Sequence, residues 1–112
     1  MDVQVIPYKR CNVVKISGRV DSETVPGLRD ALNALVGAGN THLVMDMSEV
    51  TFVSSAGWWL FIDTQKNCKR NGNGELLFAG LAQRIRHSLE LVGMDDFFST
   101  YDTITSAIGN IE

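Results

Sequence analysis

Apolar and polar residues alternate near the start of the chain and recur at helical spacing further on, so the changes of period mark its elements. Val3, Val5 and Tyr8 alternate with polar neighbours, and Val13, Val14 and Ile16 follow Lys9-Arg10-Cys11-Asn12, which predicts an opening β-hairpin. Val25, Leu28, Leu32, Leu35 and Val36 then repeat at i, i+3 and i+4. That stripe predicts a helix capped by Asp21 or Ser22, with Pro26 in its first turn and a stop between Gly37 and Asn40. His42 to Met47 is a short apolar run bounded by Asn40-Thr41 and Ser48-Glu49, as expected of a buried central strand. Its Asp46 reads either as the cap of a following turn or as a functional acid.

The decisive change of period falls within Val50–Ile62, V-T-F-V-S-S-A-G-W-W-L-F-I. An alternating run ends in two serines, and after Ala56 and Gly57 a wide helical stripe continues through Trp58, Phe61, Ile62 and Gln65. Ser54 and Ser55 are therefore placed at a helix N-terminus, where unpaired amides and the helix dipole suit either a hydroxyl cap or a covalently attached phosphate. Gly57 costs that helix about 1 kcal/mol relative to alanine, which points to a close approach by another backbone or a ligand. Trp58 and Trp59 lie about 100° apart around the axis, so one of them is expected near the surface.

The helix runs on to about Asn71 and stops at Asn71-Gly72-Asn73-Gly74, and Leu76–Ala79 predicts another strand. Ile85, Leu89 and Val92 predict a third helix, ended by Gly93, and Phe97 and Phe98 are expected to seal the core. Ile104, Ala107, Ile108 and Ile111 predict a last helix capped by Asp102 or Thr103. The order β-β-α-β-α-β-α-(β)-α gives an α/β class, a mixed sheet of four to five strands with helices mainly on one face, in a single domain spanning 1–112.

The run F-V-S-S-A-G-W, a helix after it and the Gly-rich turn beyond together resemble the phosphorylation motif of STAS domains, the anti-sigma factor antagonists of bacteria. The resemblance covers essentially the whole chain. It places the family's acidic residue on Ser54, its phosphorylated serine on Ser55, its second hydroxyl on Ala56 and its glycine on Gly57, so Ser54 and Ala56 depart from the usual pattern. The Gly18-Arg19-Val20-Asp21 segment resembles the family loop that lies beside that serine. On the residues alone, Asp21 is equally an ordinary helix-start aspartate. The resemblance implies a regulatory binding module with a partner face at Asp21, Ser54, Ser55, Ala56 and Gly57; Trp59, where the family commonly has a small residue, is a departure and is read as a candidate anchor of that face because exposed tryptophan is enriched among residues that carry binding energy. Its partner would be a serine-kinase anti-sigma factor that uses ATP to phosphorylate Ser55, or alternatively Ser54, and a serine phosphatase would reset it. A STAS scaffold, ligand sensor or dimerising piece that no longer takes phosphate is the alternative, and a homodimer is left open.

Composition narrows the field. The 112 residues are 45% hydrophobic and 21% charged, enough for one core, and a net charge of −3 gives no basic footprint for direct nucleic-acid binding. No apolar run approaches a membrane span, and the N-terminus lacks a leader pattern, so a cytoplasmic protein is expected. Cys11 and Cys68 have neither metal nor redox spacing and predict buried thiols in a reducing compartment. His42 reads as a strand-edge residue and His87 as a helix-surface residue, so no cofactor or metal site is implied. A hydrolase using Ser55 as nucleophile is the rival from another class, but G-x-S-x-G is absent and neither histidine has an evident acid partner.

Overall fold

Strand β1 (Asp2–Pro7) and strand β2 (Asn12–Val20) form the opening hairpin, closed where the Tyr8 N–H donates to the Cys11 carbonyl at 2.8 Å. The computed structural model, which describes residues 1–111, continues with α1 (Val25–Gly37), β3 (His42–Val53), α2 (Ser55–Arg70), β4 (Glu75–Ala79), α3 (Gln83–Leu91), β5 (Thr100–Tyr101) and α4 (Ile104–Ile111). The strands lie in the order β1-β2-β3-β4-β5, antiparallel in the first pair and parallel in the rest. A helix makes each crossover from β2 to β4, as parallel pairing requires.

Adjacent residues of each strand feed two cores, because successive side chains point to opposite faces. Val14, Ile16, Leu43, Met45, Leu76 and Phe78 meet Leu28 and Leu32 of α1, Phe61 and Ile62 of α2 and Ile85 and Leu89 of α3. On the other face Val13, Val44 and Leu77 meet Ala107 of α4, with Ile104, Ile108 and Ile111 packed beside them. Three helices thus share one face and α4 covers part of the other. Val5 is exposed on β1, an edge strand, and Tyr8 is exposed just past its end.

Strand β3 does not stop at Ser48-Glu49 as its sequence suggests. It runs for 12 residues, with irregularities in its pairing to β2: Lys15 faces Asp46 but Ser17 faces Glu49, and Gly18 faces Val50 but Arg19 faces Phe52. Each shift inserts one β3 residue, so the inward positions Met47, Val50 and Val53 are spaced by three instead of two. Strict alternation would have turned Glu49 into the core; the bulges keep it outside, paired to Lys15 at 2.7 Å. Asp46 anchors the first bulge, accepting from the Ser48 N–H at 3.1 Å and the Ser48 hydroxyl at 2.8 Å; no turn follows it, because the strand continues to Val53.

Two other side-chain arrangements, one buried and one at the surface, satisfy main-chain groups of β3 and β4. The Gln65 side chain is fully buried and acts as a substitute strand: its Oε1 accepts from the Leu76 N–H at 2.7 Å, and its Nε2 donates to the carbonyls of Leu76 at 3.1 Å and Phe97 at 3.2 Å. Beyond Asp46, where β4 ends, the carbonyls of β3 are met by α3 instead. Arg84 Nη2 donates to Thr51 O at 3.0 Å and the Ser88 hydroxyl to Val53 O at 3.5 Å.

Candidate functional site

The two serines at the end of β3 have different surroundings. Ser54 is extended and half-buried; its hydroxyl accepts from the Gly57 N–H at 3.3 Å and its carbonyl from the Trp58 N–H at 3.0 Å, so Ser54 is the N-cap of α2. Ser55 is the first residue of the helix and is exposed, and its hydroxyl has no hydrogen-bond partner among the described residues. The departure from an acidic residue at Ser54 therefore keeps the capping function, because a serine oxygen accepts the same amide.

Gly57 lies beneath this surface. A Cβ there would come within 2.8 Å of Val20 Cγ1, 2.9 Å of Val53 Cγ1 and 3.1 Å of the Val20 carbonyl oxygen. The missing side chain thus admits the end of β2, which is tied to the site by the Ser54 N–H donating to Val20 O at 2.9 Å. Ala56 is half-buried beside it. Trp58 turns inward, 1% exposed, with its indole N–H donating to Ser88 Oγ at 2.9 Å and its ring edge-on to Phe61 and Phe78. Trp59 turns outward at 57% exposure, one helical turn beyond Ser55 and on the same side of α2.

Asp21 follows directly after Val20, so Asp21 and Ser55 flank the hydrogen bond that joins β2 to the start of α2. Asp21 does not cap α1 directly, since that helix starts at Val25 after Thr24, which makes no side-chain cap bond. Instead its carboxylate organises the preceding turn, accepting from the N–H groups of Glu23 at 3.1 Å and Thr24 at 3.3 Å. Desolvation works to raise its pKa, but those two N–H groups and the Arg19 guanidinium at 3.4 Å outweigh it and hold the carboxyl below its ordinary value.

Sequence reasoning overlooked Arg19, Phe52 and Arg84. Arg19 and Phe52 face each other across β2 and β3, and the guanidinium lies 4.3 Å from the centroid of the half-exposed ring. The signal was available only once the second bulge set the register. Arg84 reaches the same end of β3 from α3, far away in sequence. His42, by contrast, opens β3 at its opposite end, and His87 lies on the α3 surface 3.6 Å from Glu90. Neither imidazole hydrogen-bonds the Ser55 hydroxyl, so the arrangement required of a serine nucleophile is not built.

The mixed five-stranded sheet, with three helices on one face and α4 on the other, defines a single-domain α/β class that presents the Ser55 hydroxyl at the start of α2. The STAS domain family model matches residues 2–107, and the chain belongs to that family. The anti-sigma-B factor antagonist of Staphylococcus aureus strain NCTC 8325 / PS 47 is 31% identical over 96 residues, spanning 86% of this chain and 88% of that protein. The crystal structure of an anti-sigma factor antagonist from Mycobacterium paratuberculosis superposes with a TM-score of 0.83 at 28% identity, covering 98% of this chain and 92% of that one. The Bacillus cell fate determinant SpoIIAA, solved in its phosphorylated form, shares the fold with a TM-score of 0.77 at 16% identity, over 99% of this chain and 100% of that one.

Proposed function

We propose that this chain is an anti-sigma factor antagonist, a binding protein and not an enzyme. Its unphosphorylated form captures a serine-kinase anti-sigma factor and releases a sigma factor, and phosphate on Ser55 ends the capture. The observation that carries this reading is the division of labour between the serines: Ser54 spends its hydroxyl on the cap, whereas Ser55 offers an exposed hydroxyl at the first helical position. The names of the relatives at 31% and 28% identity support the partner class.

The switch needs no refolding. A phosphate adds about −1.5 to −2 charges, which the N-terminus of α2 tolerates through its dipole. A partner packed against the same spot must strip water from that dianion, and the cost opposes binding. Trp59, one turn further along α2, and the Arg19–Phe52 stack at the adjoining ends of β2 and β3 offer exposed apolar and cationic area of the kind enriched among residues that carry binding energy. The protein acts in the cytoplasm with no direct nucleic-acid contact, and a serine phosphatase restores it. Among the described residues no helix is long and apolar enough to cross a membrane.

The test is incubation with ATP and the serine kinases of its own organism, followed by mapping of the modified peptide and a binding assay with each kinase. Phosphate on Ser55 and loss of kinase binding on modification are expected. Label confined to a distant residue, or none with any such kinase, would favour a STAS scaffold or ligand sensor that takes no phosphate.

A further inference from the structure

The turn that ends α2 reads Asn71-Gly72-Asn73-Gly74. It contains two copies of the dipeptide in which an asparagine side chain is most open to attack by the next backbone nitrogen, because glycine presents no Cβ to block the approach. The structure treats the copies differently. The Gly74 N–H donates to Cys68 O at 2.9 Å, and the next N–H, that of Glu75, donates to Thr41 O at 2.9 Å. Gly74 is buried so closely against Thr41 that even a Cβ would collide with its carbonyl. Drawing the Gly74 nitrogen into a ring would break the Cys68 bond and displace this packed backbone. At the other copy, Asn71 and Gly72 are exposed, and the Gly72 N–H donates to no atom of the described residues. The Asn71 side chain is restrained by one solvent-exposed bond, from Nδ2 to Asn67 O at 2.9 Å.

We infer that Asn71 is a site of spontaneous deamidation and that the fold protects Asn73. The Gly72 nitrogen bonds to Asn71 Cγ, the Cγ–Nδ2 bond breaks, and the nitrogen leaves as ammonia with the proton from the Gly72 amide. Water then opens the succinimide at either carbonyl, giving aspartate or isoaspartate. The product places a carboxylate at the C-cap of α2, where the helix dipole is already negative, beside Lys69 and Arg70. The modification is independent of any event at Ser55, which lies at the other end of the helix.

The experiment incubates the folded protein and the same protein in urea at mildly alkaline pH, until both asparagines in urea have reacted. Peptide mapping with fragmentation that separates aspartate from isoaspartate then follows each site. The two sites should react at rates within about twofold of one another in urea, while in the folded protein Asn71 should react at least about fivefold faster than Asn73. An Asn71→Gln variant should lose nearly all acid formation in the folded state. Equal or faster conversion of Asn73 in the folded protein would overturn the inference, and so would an Asn71 that stays intact there while it reacts in urea.

Discussion

The two serines at the head of α2 can be separated by substitution, since one holds the helix and the other faces solvent. Ser54→Ala removes the acceptor for the Gly57 N–H, a bond of 3.3 Å in a half-buried position. N-cap losses of this kind cost about 0.5–2 kcal/mol, and the long bond places this one near ~1 kcal/mol, a fall in Tm of roughly 4 °C for a domain of this size. Ser55→Ala removes a hydroxyl that caps nothing and should leave stability within about 0.5 kcal/mol. Ser54→Asp retains an acceptor and adds a charge that suits the dipole, so it should match or exceed the parent by about 0.3–1 kcal/mol. Urea titration, followed by the fluorescence of the buried Trp58, reads all three, provided the m-value is unchanged. In parallel, kinase labelling should persist in Ser54→Ala and vanish in Ser55→Ala. A Ser55→Ala loss above ~1 kcal/mol with a neutral Ser54→Ala would mean that the roles are exchanged and the reasoning is wrong.

Gln65→Leu fills similar volume but strands the Leu76 N–H and two carbonyls that Gln65 now satisfies; a loss of about 3 kcal/mol by chemical denaturation is expected, and under ~1 kcal/mol would show that other groups replace them. Trp59→Ala should weaken binding to the partner kinase by at least ~1 kcal/mol with stability nearly unchanged, and unaltered affinity in a titration would remove Trp59 from the interface. Burial pushes the Cys68 thiol up to about 11. Its folded pKa thus lies above the unfolded value of about 8.5, so its contribution to stability is complete below that value and is lost as pH rises through the folded pKa. In a Cys11→Ser background, a thiol reagent at pH near 8 should react with Cys68 only as fast as the domain opens, and rapid stoichiometric reaction would contradict its burial.

Helical stripes carried the sequence reading well, because each buries a face against a neighbour already implied by the order of elements. The divergence of Trp58 and Trp59, the stripe of α1 and the start of α2 all follow from a fixed rotation per residue. Strand β3 was harder. The polar pair Ser48-Glu49 looks like a terminus, and only the insertions opposite β2 show how the chain passes it without burying a carboxylate. The extent of β1 exposure and the position of α4 on the second face depend on which surface each helix finds, which periodicity does not encode. Val92 shows a smaller limit: it fits the stripe of α3 but lies past the helix end and is exposed. At the site itself, the motif located Ser54 and Ser55, while Arg84 and Ser88 reach β3 through bonds to main-chain carbonyls, which leave no trace in local sequence.

Those last two contacts give α3 a bearing on the serine loop that distance along the chain conceals. The end of β3 is paired to β2 on one side and runs past β4 on the other, where the side chains of Arg84 and Ser88 stand in for a strand. Ser88 also steadies the indole of Trp58, one residue after Gly57. Sequence drift on α3 can therefore tilt or loosen the ledge that presents Ser55, altering how quickly another protein engages it while every residue of the V-S-S-A-G stretch stays the same.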